Sequence, residues 1–288
     1  EISECLVGSE MCIRDRYYVG KWKDGRRDGF GFSVAPHEVV KCGVWAKGRF
    51  RGEQMLYHSE RIYGIDISKY QHVHKRRVYG IDWRNLRITR LGHTADRNAL
   101  GAVDYPVSFV YIKSTEGLTV FNPYYTQDVR AARRYGFPVG AYHFFSTRPA
   151  MSQADYFLKK SRLQKGDLPP MLDVELSDRR IAAMGGRDVL FREMLVWLKE
   201  IGRRSGTTPI IYVSQDFVNR YMPFAPEELK AYPVWVARYG EYKPYVHLLY
   251  WQLSPDGRVR GIQGDVDIDV FNGSEEQFKR YLRTQTVK

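Results

Sequence analysis

The segment Leu168-Pro169-Pro170-Met171-Leu172-Asp173-Val174-Glu175 sets two carboxyl groups at the end of an apolar run. Residues two apart on a strand share a face, so Asp173 and Glu175 point together into whatever lies at that strand end. Two carboxylates that close cannot both ionise freely. One pKa rises, which leaves a neutral acid able to protonate a leaving group near neutral pH. An exposed acidic loop start is the plainer alternative, and the apolar residues around the pair argue against it. Other apolar runs end in the same way: Asp66 follows Tyr63-Gly64-Ile65, and Asp267 and Asp269 alternate with Val266, Ile268 and Val270. Tyr142 and His143, Tyr212, Trp235, Tyr239, and Trp251 with Gln252 add rings and polar tips near further strand ends. Acids and aromatic faces together equip a sugar site, although each aromatic alone is more often a core residue. No Cys/His ligand cluster that could bind a metal accompanies them.

Parallel strands are what would bring such ends together. From residue 62 onward, strand-like runs at 62–68, 109–114, 139–145, 171–175, 209–213, 234–237, 249–253 and 266–270 alternate with helical patterns at 123–135, 152–163 and 187–203. In the last of these, Phe191, Leu195, Leu198 and Ile201 fall on one stripe. Helices thin out after the fifth strand. The pattern predicts an α/β fold, an incomplete TIM-like barrel of (β/α)5(β)3 form spanning 61–288, with its site at the C-terminal strand ends.

The first 60 residues read differently. Residues 1–16, EISECLVGSEMCIRDR, follow neither hydrophobic period and resemble translated sequencing-adapter read-through, so they are expected to form a non-native or disordered tail. Over 17–60, Gly20, Trp22, Gly25 and Gly29 recur 23 residues later as Gly43, Trp45, Gly48 and Gly52. Short hairpins whose turns need positive φ are the expected result, and the pattern resembles about two MORN repeats. Cys5, Cys12 and Cys42 all lie in this part, an odd number that makes a poor disulfide framework.

The net charge of +12 is concentrated after the repeats, where residues 61–105 hold nine Lys or Arg against four Asp or Glu. Such an excess suits an anionic partner, but no nucleic-acid-binding signature goes with it. No apolar run approaches the roughly 18 residues of a membrane span.

Over 63–273 the chain resembles glycoside hydrolase family 25, the lysozyme-type muramidases. The resemblance rests on Tyr63-Gly64-Ile65-Asp66-Ile67-Ser68 with Gln71, Ile81-Asp82-Trp83, Phe109-Val110-Tyr111-Ile112-Lys113 with Thr115-Glu116-Gly117, Gly140 to Phe144, Asp173-Val174-Glu175, Trp235-Val236-Ala237-Arg238-Tyr239, Trp251-Gln252, and Val266-Asp267 with Phe271-Asn272-Gly273. It implies hydrolysis of the β-1,4 bond between N-acetylmuramic acid and N-acetylglucosamine in peptidoglycan, with retention at the anomeric carbon. Glu175 would be the general acid and then base. Asp173 would assist the substrate's 2-acetamido group, with direct nucleophilic attack left open. Asp66 and Asp267 would complete the acidic floor, and Tyr142, Tyr212, Trp235, Tyr239 and Trp251 would bind sugar. Peptidoglycan strands are the implied partner, and the cell envelope or the outside of the cell the implied location. The competing reading is a catalytically silent wall-binding or repeat-based scaffold protein, against which both acids of the Asp-x-Glu strand stand intact. Two features depart from the pattern. Asp82, in a partial copy of the Asp66 motif, reads as the start of a helix and is left out of the site. The segment 87–106 is longer and more basic than a usual connection, suited to shaping the cleft or gripping an anionic polymer.

Overall fold

The computed structural model describes residues 10–13, 16–34, 41–53, 61–74, 76–93, 98–99, 102–237 and 247–288. Eight strands form the central barrel: β1 (Ile62–Ile67), β2 (Phe109–Glu116), β3 (Val139–Phe144), β4 (Met171–Val174), β5 (Ile210–Ser214), β6 (Pro233–Ala237), β7 (His247–Arg260) and β8 (Val266–Phe271). The first seven run parallel in sequence order. β8 runs antiparallel to both β7 and β1 and closes the ring. All eight strands expected from the apolar runs are present, and closure removes the free sheet edges.

Each strand is buried on both faces, as a parallel sheet requires. Ile65, Val110, Ile112, Leu172, Val174, Ile211, Val213, Val234 and Val236 face outward into the layer beneath the helices. The alternate positions, Phe109, Tyr111, Tyr142, Met171, Tyr212, Trp235, Tyr250 and Phe271, fill the barrel interior with rings. An interior this aromatic needs gaps. A Cβ on Gly64 would collide with the Phe109 ring, and one on Gly140 with the Tyr111 ring.

Helices α1 (Tyr125–Arg134), α2 (Ala150–Ser161), α3 (Asp178–Ala183), α4 (Arg187–Ser205), α5 (Gln215–Arg220) and α6 (Glu227–Lys230) occupy the second to fifth connections, and α7 (Glu275–Thr284) follows β8. On α4 the buried stripe is Leu190, Phe191, Met194, Trp197, Leu198 and Ile201. Leu195, expected on it, lies at its partly buried edge. The first connection departs from the (β/α) pattern. In place of a helix it carries 3-10 turns at Lys69–Gln71 and Trp83–Asn85 and short strands that include Arg87–Arg90 and Tyr105–Pro106. Arg87–Arg90 pairs with the far end of β7, so this long segment extends the sheet at the barrel rim.

Glu10–Ile13, Arg16–Lys23, Arg26–Val34, Lys41–Ala46 and Arg49–Glu53 make a separate five-stranded antiparallel sheet. Glu10–Ile13, inside the segment expected to be a tail, pairs with Arg16–Lys23. The 23-residue offset is visible in the backbone: Asp24 and Lys47 have φ of 51° and 50°, and Gly25 and Gly48 of 68° and 81°. Tyr18 and Trp45 pack edge to face at 5.3 Å, and the Arg27 guanidinium sits 4.8 Å from the Tyr18 ring and 4.9 Å from the Trp45 ring.

Candidate active site

Strand alternation decides which side chains enter the barrel. On β1, Ile65 and Ile67 belong to the outer layer, so Asp66 points inward. β8 runs in the opposite sense, and Asp267 falls directly across from Asp66 in the β8–β1 ladder. On β4, Leu172 and Val174 face out while Asp173 faces in, beside Phe144 on one neighbour and Tyr212 on the other. Glu175 is the next inward position, one residue past the strand. The C-terminal ends of the parallel strands and the N-terminal end of β8 thus bring all four acids to one mouth.

A connected set of polar contacts lines that mouth. The Tyr142 hydroxyl donates to Asp66 Oδ1 at 3.5 Å. The Tyr212 hydroxyl donates to Gln252 Oε1 at 3.2 Å, and Gln252 Nε2 donates to Asp267 Oδ1 at 2.6 Å. Lys113, inward on β2, reaches Glu116 Oε2 at 2.8 Å and lies 4.4 Å from the Phe144 ring centre. Asp173 is 7% exposed, and its Oδ1 has no hydrogen-bond partner among the described residues.

The acids perturb one another in the sense that acid catalysis needs. Burial, then the Glu175 charge, pushes Asp66 up to about 7, against the Tyr142 hydrogen bond. Asp173 is held well above the ordinary carboxylate range by burial and by the charge on Glu175, with Lys113 opposing and Asp66 and Glu116 adding to the rise. Glu175 opens to solvent, yet the burial of its carboxyl raises its pKa too, and Lys113 works in the other direction. The Tyr142 and Tyr212 phenols are raised by burial and by the surrounding acids, which places both rings within the field of Asp66, Asp173 and Asp267. The arrangement supplies a carboxyl of raised pKa at the entrance, a second carboxyl behind it, and phenols and an amide able to fix a ligand's orientation.

The model for glycosyl hydrolases family 25 matches residues 65–262, which contain Asp66, Asp173 and Glu175. The chain belongs to that family. It is accordingly a glycoside hydrolase. Among relatives, a protein called YegX from Escherichia coli is 33% identical over 228 residues, covering 78% of this chain and 74% of that protein. Lysozyme M1 of Streptomyces globisporus is 29% identical over 229 residues, covering 74% and 68%. Among solved structures, the bacterial lysozyme from Streptomyces coelicolor superposes with a TM-score of 0.61 at 26% identity, covering 76% of this chain and 96% of that one. A family 25 glycosyl hydrolase from Bacillus anthracis gives 0.60 at 25% identity, covering 81% and 99%.

Not every residue expected at the family 25 site is there. Tyr142 and Tyr212 border the acids. Trp235 is fully buried at the barrel centre, 4.9 Å from Tyr250 and 5.0 Å from Tyr111, with no face left for a sugar. Trp251 is 1% exposed and lies in the outer layer, because its ladder partner Val236 faces out. The inward residue of that pair is Gln252. Tyr239 lies outside the described residues. His143 also faces out: its ring stacks on Trp197 at 5.8 Å, and its nitrogens meet the Thr115 hydroxyl at 2.8 Å and Gln153 Oε1 at 3.1 Å. Asp82 is exposed and accepts from Asn85 Nδ2 at 2.7 Å, in a 3-10 turn where a longer helix was expected. Lys113, Gln252 and Asp269, visible in the sequence but given no individual role there, also face the barrel interior beside these acids. Asp269 is wholly buried below Asp267, and neither carboxyl oxygen has a hydrogen-bond partner among the described residues. Burial, with the charges on Asp66 and Asp267, holds its pKa well above the ordinary range, while the neighbouring Trp235 indole offsets part of the rise. The period of two, applied to 267 and 269 together, was the available signal.

Proposed function

We propose that this family 25 chain is a muramidase of the lysozyme type, which hydrolyses the β-1,4 bond between N-acetylmuramic acid and N-acetylglucosamine in peptidoglycan. The observation that carries the reading is the pair at the end of β4: Asp173 buried, Glu175 just past the strand at the open mouth, both with pKa values raised by burial. Glu175, protonated and accessible, donates its proton to the leaving sugar oxygen as the glycosidic bond breaks, and afterwards removes a proton from the incoming water. Asp173 orients and polarises the 2-acetamido group, whose carbonyl oxygen attacks the anomeric carbon, so that water then reopens the ring with net retention. Asp66 and Asp267 hold the sugar hydroxyls across the β1–β8 seam, each oriented by a neutral partner, Tyr142 or Gln252. The same reading places the enzyme's work at the cell envelope or outside the cell. We further infer that the N-terminal hairpins are MORN-type repeats, a reading supported by the equal offset of their positive-φ turns.

The deciding experiment is digestion of purified peptidoglycan followed by mass spectrometry of the new reducing ends. Reducing N-acetylmuramic acid is expected. Reducing N-acetylglucosamine, or no release by the folded protein, would reject the reading.

A further inference from the structure

The rim of the barrel carries an arrangement of arginines that the acid site does not use. Where Arg87–Arg90 pairs with the outer end of β7, two arginine pairs oppose each other directly, Arg258 with Arg90 and Arg260 with Arg87. Like charges placed opposite on neighbouring strands are destabilising. Among the described residues one member of each pair is neutralised: Arg258 bridges to Asp265 at 2.6 Å, and Arg87 bridges to Asp104 and donates to its carbonyl at 2.7 Å. Asp104 is held below its ordinary pKa first by the Arg87 hydrogen bond, with Arg260 contributing only through space. Arg90 and Arg260 are exposed and form no ion pair with any described residue. Ile88 and Val259, opposed at the centre of the ribbon, are buried, so the strands cannot turn to separate the charges.

The ribbon also leads into the acid mouth. Its tip, residues 261–265, separates Arg260 from β8, whose second residue is Asp267. Gln71 Nε2 donates to the Asp265 carbonyl at 3.1 Å and so ties the tip to the turn that follows Asp66. Gly264 lies against the His74 ring, which brings the hairpin of Val73–His74 and Arg77–Val78, with exposed Arg76 and Arg77, alongside the same tip. A cationic rim therefore adjoins an acidic floor. An anionic polymer would be repelled by that floor alone, and the rim supplies the compensating field.

We propose that this arginine ribbon is a binding surface for the carboxylates of the peptide stems on the glycan strand that lies over the acids. A guanidinium grips a planar carboxylate through two parallel hydrogen bonds, and Arg90 and Arg260 engage no carboxylate among the described residues. The proposal rests on the muramidase reading, because the peptide-bearing glycan is that reading's substrate.

The test is cosedimentation with insoluble wall at low ionic strength, using the full chain carrying Glu175→Gln so that the wall is not consumed. Three walls are compared: untreated, with carboxyls amidated by carbodiimide and methylamine, and with phosphates removed by hydrofluoric acid. Affinity should fall on the amidated wall and stay unchanged on the phosphate-free wall. Adding Arg90→Gln and Arg260→Gln should weaken binding to untreated wall by roughly 10-fold or more, a loss that shrinks as salt rises, and should add nothing on the amidated wall. Equal binding to untreated and amidated wall would overturn the proposal, as would loss on phosphate removal alone, or an unchanged affinity in the folded double variant. If that variant fails to fold, the amidation arm on the parent chain decides by itself. Failure of the muramidase reading shows separately, in the reducing ends released by the unsubstituted enzyme.

Discussion

Asp66→Asn should stabilise the protein above neutral pH while impairing cleavage. The folded chain holds Asp66 at a pKa of about 7, raised from an ordinary 3.8 by burial and by the Glu175 charge. Well below the ordinary value the group is protonated in folded and unfolded chains alike. Between about pH 4 and 7 only the folded chain keeps the proton, so its stability falls as pH rises through that window. Roughly three pKa units correspond to about 4 kcal/mol at about 1.4 kcal/mol per unit. Part of that rise belongs to the coupled Glu175, so about 2 kcal/mol is the working figure for Asp66 itself. Asparagine keeps the shape of the protonated carboxyl and cannot ionise. Relative to the unsubstituted protein, Asp66→Asn should therefore be near neutral at the acid end and more stable above about pH 7. At about 2–4 °C per kcal/mol for a barrel of this size, the melting temperature should rise by about 4–8 °C there. Differential scanning calorimetry across that range, paired with a wall-turbidity assay, reads both effects. A variant less stable than the parent at alkaline pH, or one whose advantage does not grow with pH, would refute the argument that an ionised Asp66 strains the site.

Glu175→Gln should raise the melting temperature at alkaline pH, because it removes a charge that repels Asp66 and Asp173, and should reduce peptidoglycan cleavage by about 10² to 10⁴, the usual share of a general acid; activity within a few-fold of the parent would move suspicion to another acid of the cluster. Asp173→Asn should also slow cleavage strongly, while Asp82→Asn, in its exposed turn, should change turnover less than two- to three-fold, about the scatter of such assays. The profile of kcat/KM against pH should be bell-shaped, with the alkaline limb displaced above the usual glutamate range because burial raises Glu175, and that limb should vanish in Glu175→Gln. Asp128→Asn should cost about 3–5 kcal/mol, read as a fall in chemical-denaturation midpoint. It breaks a buried pair in which His72 Nε2 stands 2.7 Å from Asp128 Oδ2 while His72 Nδ1 faces the Tyr79 carbonyl at 3.0 Å.

How far the sequence carried these conclusions depends on the distance over which each signal acts. The eight strands were legible because a buried parallel strand needs a short apolar run, and that requirement is local. Asp173 and Glu175 were legible for the same reason: a period of two fixes their shared direction within one strand. The aromatic assignments failed where direction depended on a neighbour. Trp251 and Gln252 sit side by side, and nothing within β7 says which enters the barrel. A register shift between β6 and β7, at Val234/Trp235, sets the frame in which Trp251 opposes outward Val236 and Gln252 falls opposite Ala237. Trp235 faces inward as its period suggests, but its depth follows from closure. Only when β8 joins β1 and shuts the ring do Phe109, Tyr111, Tyr212 and Tyr250 enclose it. That closure also explains Asp269. Along the chain Asp267 and Asp269 look equivalent, two acids on one face. Once the ring is shut, Asp267 stands at the mouth across from Asp66, whereas Asp269 lies one layer deeper, across from Gly64. Position along a closed barrel, which no local pattern encodes, is what gives two like acids on one strand unlike surroundings: Asp267 lies at the open mouth, and Asp269 is wholly buried beneath it, where burial drives its pKa up.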